Sequence, residues 1–134
     1  MTTAQDLINS SAKQAGILAE GQSLEGGVNA DALKRLNRMI ARLKNSGIDL
    51  GLSTLIAADV LYIDDADEEA LELGLTMRLM TRHRRPIDAG IAGANRSALT
   101  ELQAKYTVKK EMALDSTLTH KGSINNQSFN INNG

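Results

Sequence analysis

A chain of 134 residues is long enough for one domain with a single hydrophobic core. Apolar residues make up 42% of the chain but aromatic residues only 2%, so the core must consist of aliphatic side chains, a composition that favours helices. The absence of cysteine excludes disulfides, thiolate catalysis and sulfur-ligated metals. Fifteen basic and sixteen acidic residues give a net charge of −1, which disfavours a dedicated nucleic-acid binder.

The first half of the chain predicts two helices. Thr3 followed by Asp6 resembles a capping box, and apolar residues recur at helical spacing until Gly16, which should end the first helix. The stretch ILAEGQSLEGGV, with three glycines, predicts a loop. Asn29 is the predicted cap of the second helix, and Gly47 is its predicted stop. The apolar positions of this helix are Leu33, Leu36, Ile40 and Leu43.

The second half predicts a crossing segment and two more helices. Residues 48–63 are apolar without a clean period, so we expect an extended crossing segment that can include a short hairpin. A broadly apolar helix should start near Asp67 and end at or before Pro86, and its breadth predicts burial on more than one side. The final helix should start near Asp88. Its predicted apolar stripe is Ile91, Ala94, Ala98, Leu102 and Tyr106.

The composition changes near the C-terminus to serine, threonine, asparagine and glycine, a mixture that does not build a core. We therefore divide the chain into a helical body, residues 1–114, and an extended C-terminal arm, residues 115–134. The predicted fold is all-α, a small bundle of about four helices with this arm attached. The arm contains Ile124, Ile131 and Phe129, the only phenylalanine of the chain. We expect it to be disordered alone and to order on a partner, with Phe129 and Ile131 on one face of an extended strand.

Opposite charges mark the two ends of the third predicted helix. The acidic stretch DDADEEALE starts it and RHRR ends it, and one interpretation is that both only satisfy the helix dipole. A helix of about 17 residues separates them by about 25 Å, so they cannot neutralise each other within one copy. The other interpretation is a head-to-tail contact between copies, which can close into a ring. The predicted subunit-interface residues are Asp65, Asp67, Glu68, Arg82, Arg84 and Arg85.

Two other function classes stay open. RHRR would contact DNA in a small helical regulator of the helix-turn-helix kind, although the near-zero net charge disfavours it. Two of the acids between residues 64 and 72 would serve a wall hydrolase as general acid and base. No calcium loop, phosphate loop or nucleophile elbow accompanies them. We therefore predict no enzymatic activity and no cofactor.

Metal and membrane binding are not expected. His83 and His120 are the only histidines, which disfavours a histidine metal site. No apolar run approaches the roughly 20 residues that span a bilayer. The start MTTAQDLINSS has neither a basic leader nor an apolar stretch, so we expect a protein of aqueous compartments.

Four parts follow one another over residues 4–112. They are an opening helix, DLINSSAKQAGIL, followed by a Gly-rich loop; a helix ending in glycine and isoleucine, ALKRLNRMIARLKNSGI; a crossing segment that closes on tyrosine and acids, LYIDDADEEALELGLTMRL; and a long helix before the arm. This order resembles the head-to-tail adaptors of tailed bacteriophages, in particular the tail accessory factors of short-tailed phages.

The resemblance implies a virion structural protein. Such adaptors assemble under the portal protein as a ring, usually of twelve copies, and provide the surface on which later tail proteins attach. Their C-terminal arm reaches along the portal, which would make Ile124, Phe129 and Ile131 the portal-binding residues. The implied location is the head-tail junction of the virion, after assembly in the host cytoplasm, with DNA passing through the ring without sequence recognition.

Overall fold

The computed structural model describes residues 1–108 of the chain. These residues form four helices and no strand, which confirms the predicted small all-α bundle. The arm, residues 115–134, and with it Ile124, Phe129 and Ile131, lies outside the described residues. The helices are α1 (Ala4–Gln14), α2 (Gly26–Asn45), α3 (Asp65–Arg82) and α4, which runs from residue 89 to 108, the last described residue.

The first helix begins with the predicted capping box. The Thr3 hydroxyl accepts a hydrogen bond from the Asp6 amide at 3.2 Å, and the Asp6 carboxylate accepts one from the Thr3 amide at 3.0 Å. Two amides that have no partner inside the helix are thereby satisfied. Leu7 and Ile8 then face the core and are almost completely buried.

The second helix begins one turn before the predicted cap. Its first residue is Gly26, and the preceding Glu25 makes no side-chain capping bond. Asn29 instead exchanges two amide hydrogen bonds with Gln5 of α1, at 2.8 and 2.9 Å. The prediction of Asn29 as a cap was wrong because its side chain joins two helices, a role that local sequence does not reveal.

Glycines end the first two helices as predicted. Gly16 and Gly47 have φ values of +78° and +95°, in the left-handed region that side chains disfavour. The amide of Ile48 then donates to the Leu43 carbonyl at 2.9 Å, and the amide of Ile17 makes the equivalent bond at the end of α1. These bonds define Schellman caps, which satisfy carbonyls of the last turn.

Residues 48–63 cross the bundle as an extended segment without a hairpin. The amides of Ala4 and Gln5, at the start of α1, donate to the carbonyls of Asp59 and Ala57 at 2.8 and 2.9 Å. From α2, the side-chain amide of Asn37 both donates to and accepts from the backbone of Leu55, at 3.0 and 2.8 Å. An isolated antiparallel bridge between Thr3 and Val60 and the side chain of Asn37 therefore satisfy backbone groups of this segment in place of a longer strand pairing.

The third helix is the centre of the bundle. It packs against both α1 and α2, and Leu71, Leu75 and Leu79 are completely buried. Each such leucine contributes about 1.5–3 kcal/mol by its burial. The buried hydroxyl of Thr76 donates to the Glu72 carbonyl at 2.8 Å, so it leaves no polar group unsatisfied. The predicted burial on more than one side is confirmed.

The fourth helix starts at the predicted place but faces the core along a slightly different line. The Asp88 carboxylate accepts from the amides of Gly90 and Ile91 at 2.6 and 3.3 Å, which caps the helix. Ala94 is exposed and Asn95 is half-buried, so the prediction for Ala94 was wrong. Adjacent helical residues point about 100° apart. An error of one residue in the predicted apolar stripe therefore assigns an exposed position to the core, as happened at Ala94. The stripe residues that pack on the core are Ile91, Ala98, Leu102 and Tyr106.

Candidate functional site

The acidic end of α3 lies where the sequence predicted a charged surface. The helix begins at Asp65, two residues before the predicted start, and Asp64 precedes it with extended backbone. Asp65 and Glu69 are exposed and Glu68 is half-buried. These carboxylates lie beside the positive end of the helix dipole, which stabilises them there.

Asp67 is buried, unlike its acidic neighbours. Only 3% of the residue is exposed, and its two carboxylate oxygens each lie 3.1 Å from the ammonium of Lys105. One of them also accepts from the Tyr106 hydroxyl at 3.1 Å. Asp67 therefore ties α4 to α3 within one subunit. Its carboxylate has no surface left for the subunit contact predicted for it, and Asp65 and Glu68 are the predicted acids that remain accessible.

Lys105 completes this cluster. Its ammonium lies 2.6 Å from the Asp64 carboxylate and 5.7 Å from the centroid of the Tyr106 ring, within the range of a cation–π contact. The hydrogen bond to Asp64, and then that to Asp67, raises the pKa of Lys105 above its ordinary value. Burial, and then the hydrogen bond to Asp67, raises the pKa of Tyr106. Lys105 therefore stays protonated and Tyr106 neutral over the physiological pH range.

The basic end of α3 is shaped by a backbone motif. His83 follows the helix, and Arg84 has a φ of +55°, in the left-handed region. The amide of Arg85 donates to the Met80 carbonyl at 2.8 Å, and that of Arg84 to the Thr81 carbonyl at 3.3 Å. This is the same Schellman cap that ends α1 and α2, with arginine in the place of glycine. It projects Arg84 and Arg85 from the end of the helix, and both are exposed.

Asp31 of α2 neutralises part of the basic end. Its carboxylate accepts from Nε of Arg35 at 2.8 Å and lies 3.7 Å from Nε of Arg82. The hydrogen bond from Arg35 is the main cause of a lowered pKa at Asp31, and the charge of Arg82 adds to it. The side chain of Arg82 is largely exposed and its Nε lies 3.7 Å from the carboxylate, so this second ion pair contributes little to stability. Within residues 1–108, Arg84 and Arg85 have no ion pair.

The positive surface is wider than the sequence predicted. Arg35, Arg78, Arg82 and Arg84 line one cleft of about 570 Å³, and Arg42 lines an adjoining pocket together with Arg78. We call these five residues the arginine face. Arg35 and Arg42 lie on α2, far from RHRR in the chain, and sequence reasoning missed them. Their separation of seven residues, two helical turns, was the available signal that they share a face.

Arg78 is a half-buried cation at the centre of the arginine face, since it lines both the cleft and the adjoining pocket. Burial lowers its pKa, as do the charges of Arg42 and Arg35. No carboxylate pairs with it among residues 1–108. A desolvated cation beside two others is unfavourable unless an anion joins them, so Arg78 is the residue on this face that most needs a partner.

The two charged ends are held apart by a rigid element. The 18 residues of α3 extend about 27 Å at 1.5 Å per residue. Buried leucines fix the helix in the bundle, and the Asp67 cluster and the Schellman cap fix its ends. Residues 1–108 contain no cluster of three or more histidine, aspartate or glutamate residues arranged to hold a metal. None of their helices is both long and apolar enough to cross a membrane.

Comparison with known proteins does not assign the chain to a family. No protein-family model matches the sequence, and no curated protein matches it either.

Proposed function

We propose that the chain is a head-to-tail adaptor of a bacteriophage virion. It binds the portal protein as a ring, with twelve copies expected, and provides the attachment surface for later tail proteins. The proposal combines the resemblance in the order of parts with the all-helical body. One observation carries it: a rigid, central helix presents carboxylates at one end and arginines at the other, about 27 Å away at 1.5 Å per residue.

The charged ends suit a contact between copies. Asp65 and Glu68 of one copy would meet Arg82, Arg84 and Arg85 of the next, and this contact is heterologous because the two surfaces differ. A heterologous contact forms a closed ring when the rotation that relates one copy to the next is a whole-number fraction of 360°. The net charge of −1 adds little repulsion between copies, so local complementarity can determine the geometry.

The arm supplies the second contact. Ile124, Phe129 and Ile131 are proposed to dock on the portal protein, which would bury their apolar side chains. Ordering the arm lowers its conformational entropy, and only the portal surface compensates for this loss. We therefore expect single copies in isolation and several copies on the portal, at the head-tail junction and after assembly in the host cytoplasm. DNA would pass through the ring without sequence recognition.

A mass measurement tests the proposal. The protein alone should elute as a monomer, and with portal it should join a complex that holds several copies. Deletion of residues 115–134 should leave the helical content unchanged and abolish this association. Phe129→Ala should weaken it, and Thr117→Ala, also in the arm, is the matched control that should not. Equal mass with and without portal would contradict the proposal.

The arginine face favours a second candidate, a small helical DNA-binding regulator. Arg35, Arg78, Arg82 and Arg84 converge on one cleft, and guanidinium groups contact phosphates well. This candidate predicts duplex binding whose affinity falls steeply with salt. Arg84→Ala and Arg85→Ala should each reduce the salt dependence. Binding absent at low salt would eliminate it.

A further inference from the structure

One pocket of the body combines an apolar floor with a cationic rim. Helices α2, α3 and α4 enclose about 340 Å³, and Arg42 and Arg78 contribute cationic side chains to the lining. On its wall, Oδ1 of Asn95 is buried and has no hydrogen-bond donor among residues 1–108. The apolar side chains of this pocket are Met39, Leu43, Ala70, Met77 and Leu99.

These features specify the chemistry of the missing occupant. Arg78 needs an anion, and the floor needs an apolar group beside that anion. A buried carbonyl oxygen such as Oδ1 of Asn95 needs a donor. A nucleic-acid backbone supplies charge but nothing for the floor, whereas a peptide with a tyrosine near an acidic residue supplies all three. Arginine and tyrosine are also the residues that contribute most at protein interfaces.

The chain itself carries such a peptide. Tyr62 is 74% exposed, although a tyrosine ring normally buries much of its surface. Asp65, exposed in the first turn of α3, follows three residues later. Thirteen residues of helix separate Asp65 from Arg78, which is about 20 Å at 1.5 Å per residue. The Asp65 carboxylate therefore cannot pair with Arg78 of its own copy, but it can pair with Arg78 of a neighbour.

We propose that Tyr62 and Asp65 of one copy bind in the Arg42–Arg78 pocket of the next. The ring covers the apolar floor, its hydroxyl approaches Asn95, and the Asp65 carboxylate pairs with the two guanidinium groups. The inference rests on the proposed contact between copies and deepens it, because it assigns Asp65 to a pocket on the arginine face and leaves Glu68 to the exposed arginines at the end of α3.

Cysteine crosslinking tests this contact without portal, because a disulfide traps contacts between copies that are too short-lived to change the elution of the monomer. The chain has no cysteine, so an engineered pair reports one contact only. Ala66→Cys marks the inserting segment and keeps Tyr62 and Asp65. Met77→Cys marks the pocket and lies about 17 Å from residue 66 of its own copy at 1.5 Å per residue, too far for a disulfide within one copy. Under mild oxidation the double variant should form a ladder of dimers, trimers and longer species. An equimolar mixture of the two single variants should stop at dimers that contain one of each.

The matched control moves one cysteine away from the pocket. Ala66→Cys combined with Glu20→Cys, at a residue that is 89% exposed, should crosslink at least about tenfold less than the pocket pair. Adding Tyr62→Ala to the pocket pair should reduce the ladder to this level, whereas adding Ile56→Ala, which removes another exposed side chain, should not. A pocket pair that crosslinks no better than the control overturns the inference.

Arg78→Met provides a second readout that separates binding from folding. It removes a half-buried charge that no carboxylate of residues 1–108 pairs with and keeps an unbranched side chain, so the melting temperature of the monomer should rise by a few degrees. The same variant should lose the ladder. A lowered melting temperature, or a ladder of wild-type intensity, contradicts the proposal. If no ladder forms while portal still collects several copies, this inference fails and the proposed function stands.

Discussion

Asp67 gives the sharpest test of how the body is held together. Its carboxylate accepts from Lys105 at 3.1 Å and from Tyr106 at 3.1 Å, and only 3% of the residue is exposed. A hydrogen bond to a charged group contributes about 1.5–3 kcal/mol, and one between neutral partners about 1 kcal/mol. When Asp67 is replaced, Lys105 still has its bond to Asp64 at 2.6 Å, and the Lys105 side chain is 31% exposed. The loss of the bond between Lys105 and Asp67 should therefore cost the lower value, about 1.5 kcal/mol.

Asp67→Ala should therefore lower the free energy of unfolding by about 3 kcal/mol, a large part of the 5–15 kcal/mol typical of a domain. Asp67→Asn keeps an acceptor for Tyr106 and loses the charge, so about 1.5 kcal/mol is expected. Urea unfolding followed by circular dichroism measures both. In a double-mutant cycle that combines Asp67→Ala with Tyr106→Phe, the double variant should lose about 1.5 kcal/mol less than the sum of the two single losses.

Asp65→Ala is the matched control for this series. Asp65 lies in the same turn but is exposed, so its loss should change stability by no more than about 0.5 kcal/mol. If Asp67→Ala destabilises the protein no more than Asp65→Ala, the cluster does not hold α4 on α3. If the cycle is additive, Asp67 and Tyr106 act independently and the arrangement of the cluster is refuted.

Three further predictions concern other parts of the body. Arg84→Gly should stabilise the protein by about 0.5–1 kcal/mol in thermal unfolding, because glycine adopts the left-handed backbone without strain; a loss of stability would refute the cap. Asn37→Ala should lower the free energy of unfolding by about 2 kcal/mol, since both backbone groups of Leu55 lose their partner, and an effect below 0.5 kcal/mol would contradict this. The pKa of Asp31 is lowered from 3.8, so the stability that this carboxylate contributes is complete above pH 3.8 and is lost as the pH falls through its folded-state pKa. The free energies of unfolding of wild type and Asp31→Asn, compared from pH 6 downward, should therefore converge in acid. A difference that stays constant over this pH range would refute the pairing.

Structural features that depend only on residues close together in the sequence could be predicted. The capping box needs only Thr3 and Asp6, and the ends of α1 and α2 need only Gly16 and Gly47, because local sterics and hydrogen bonding determine these conformations. The breadth of the apolar pattern in α3 likewise indicated burial on two sides. A small helical bundle could therefore be inferred before any contact between helices was known.

Features that depend on distant residues were not predictable. The prediction of Asn29 as a helix cap was wrong because no residue near it in the sequence indicates that Gln5 of α1 lies beside it in the fold. Asp67 seemed one more surface acid because Lys105 and Tyr106, which bury it, come 38 and 39 residues later. Such pairs are determined by the packing of α1 on α2 and of α4 on α3, which propensity does not describe.

The candidate site shows the same division. Opposite charges at the two ends of α3 could be read directly from the acidic stretch and RHRR. The widening of the basic end into the arginine face could not, because Arg35 and Arg42 approach Arg78 only when α2 and α3 pack side by side. The pocket that needs an anion thus emerged from the tertiary structure alone.

Crosslinking in assembled particles tests the central claim most directly. Lys121 lies in the arm and supplies an amine for a short bifunctional reagent. If the chain is a head-to-tail adaptor, arm peptides that contain Lys121 should be joined to the portal protein. Arm peptides joined only to the body of their own copy, with the portal unlabelled, would contradict the account.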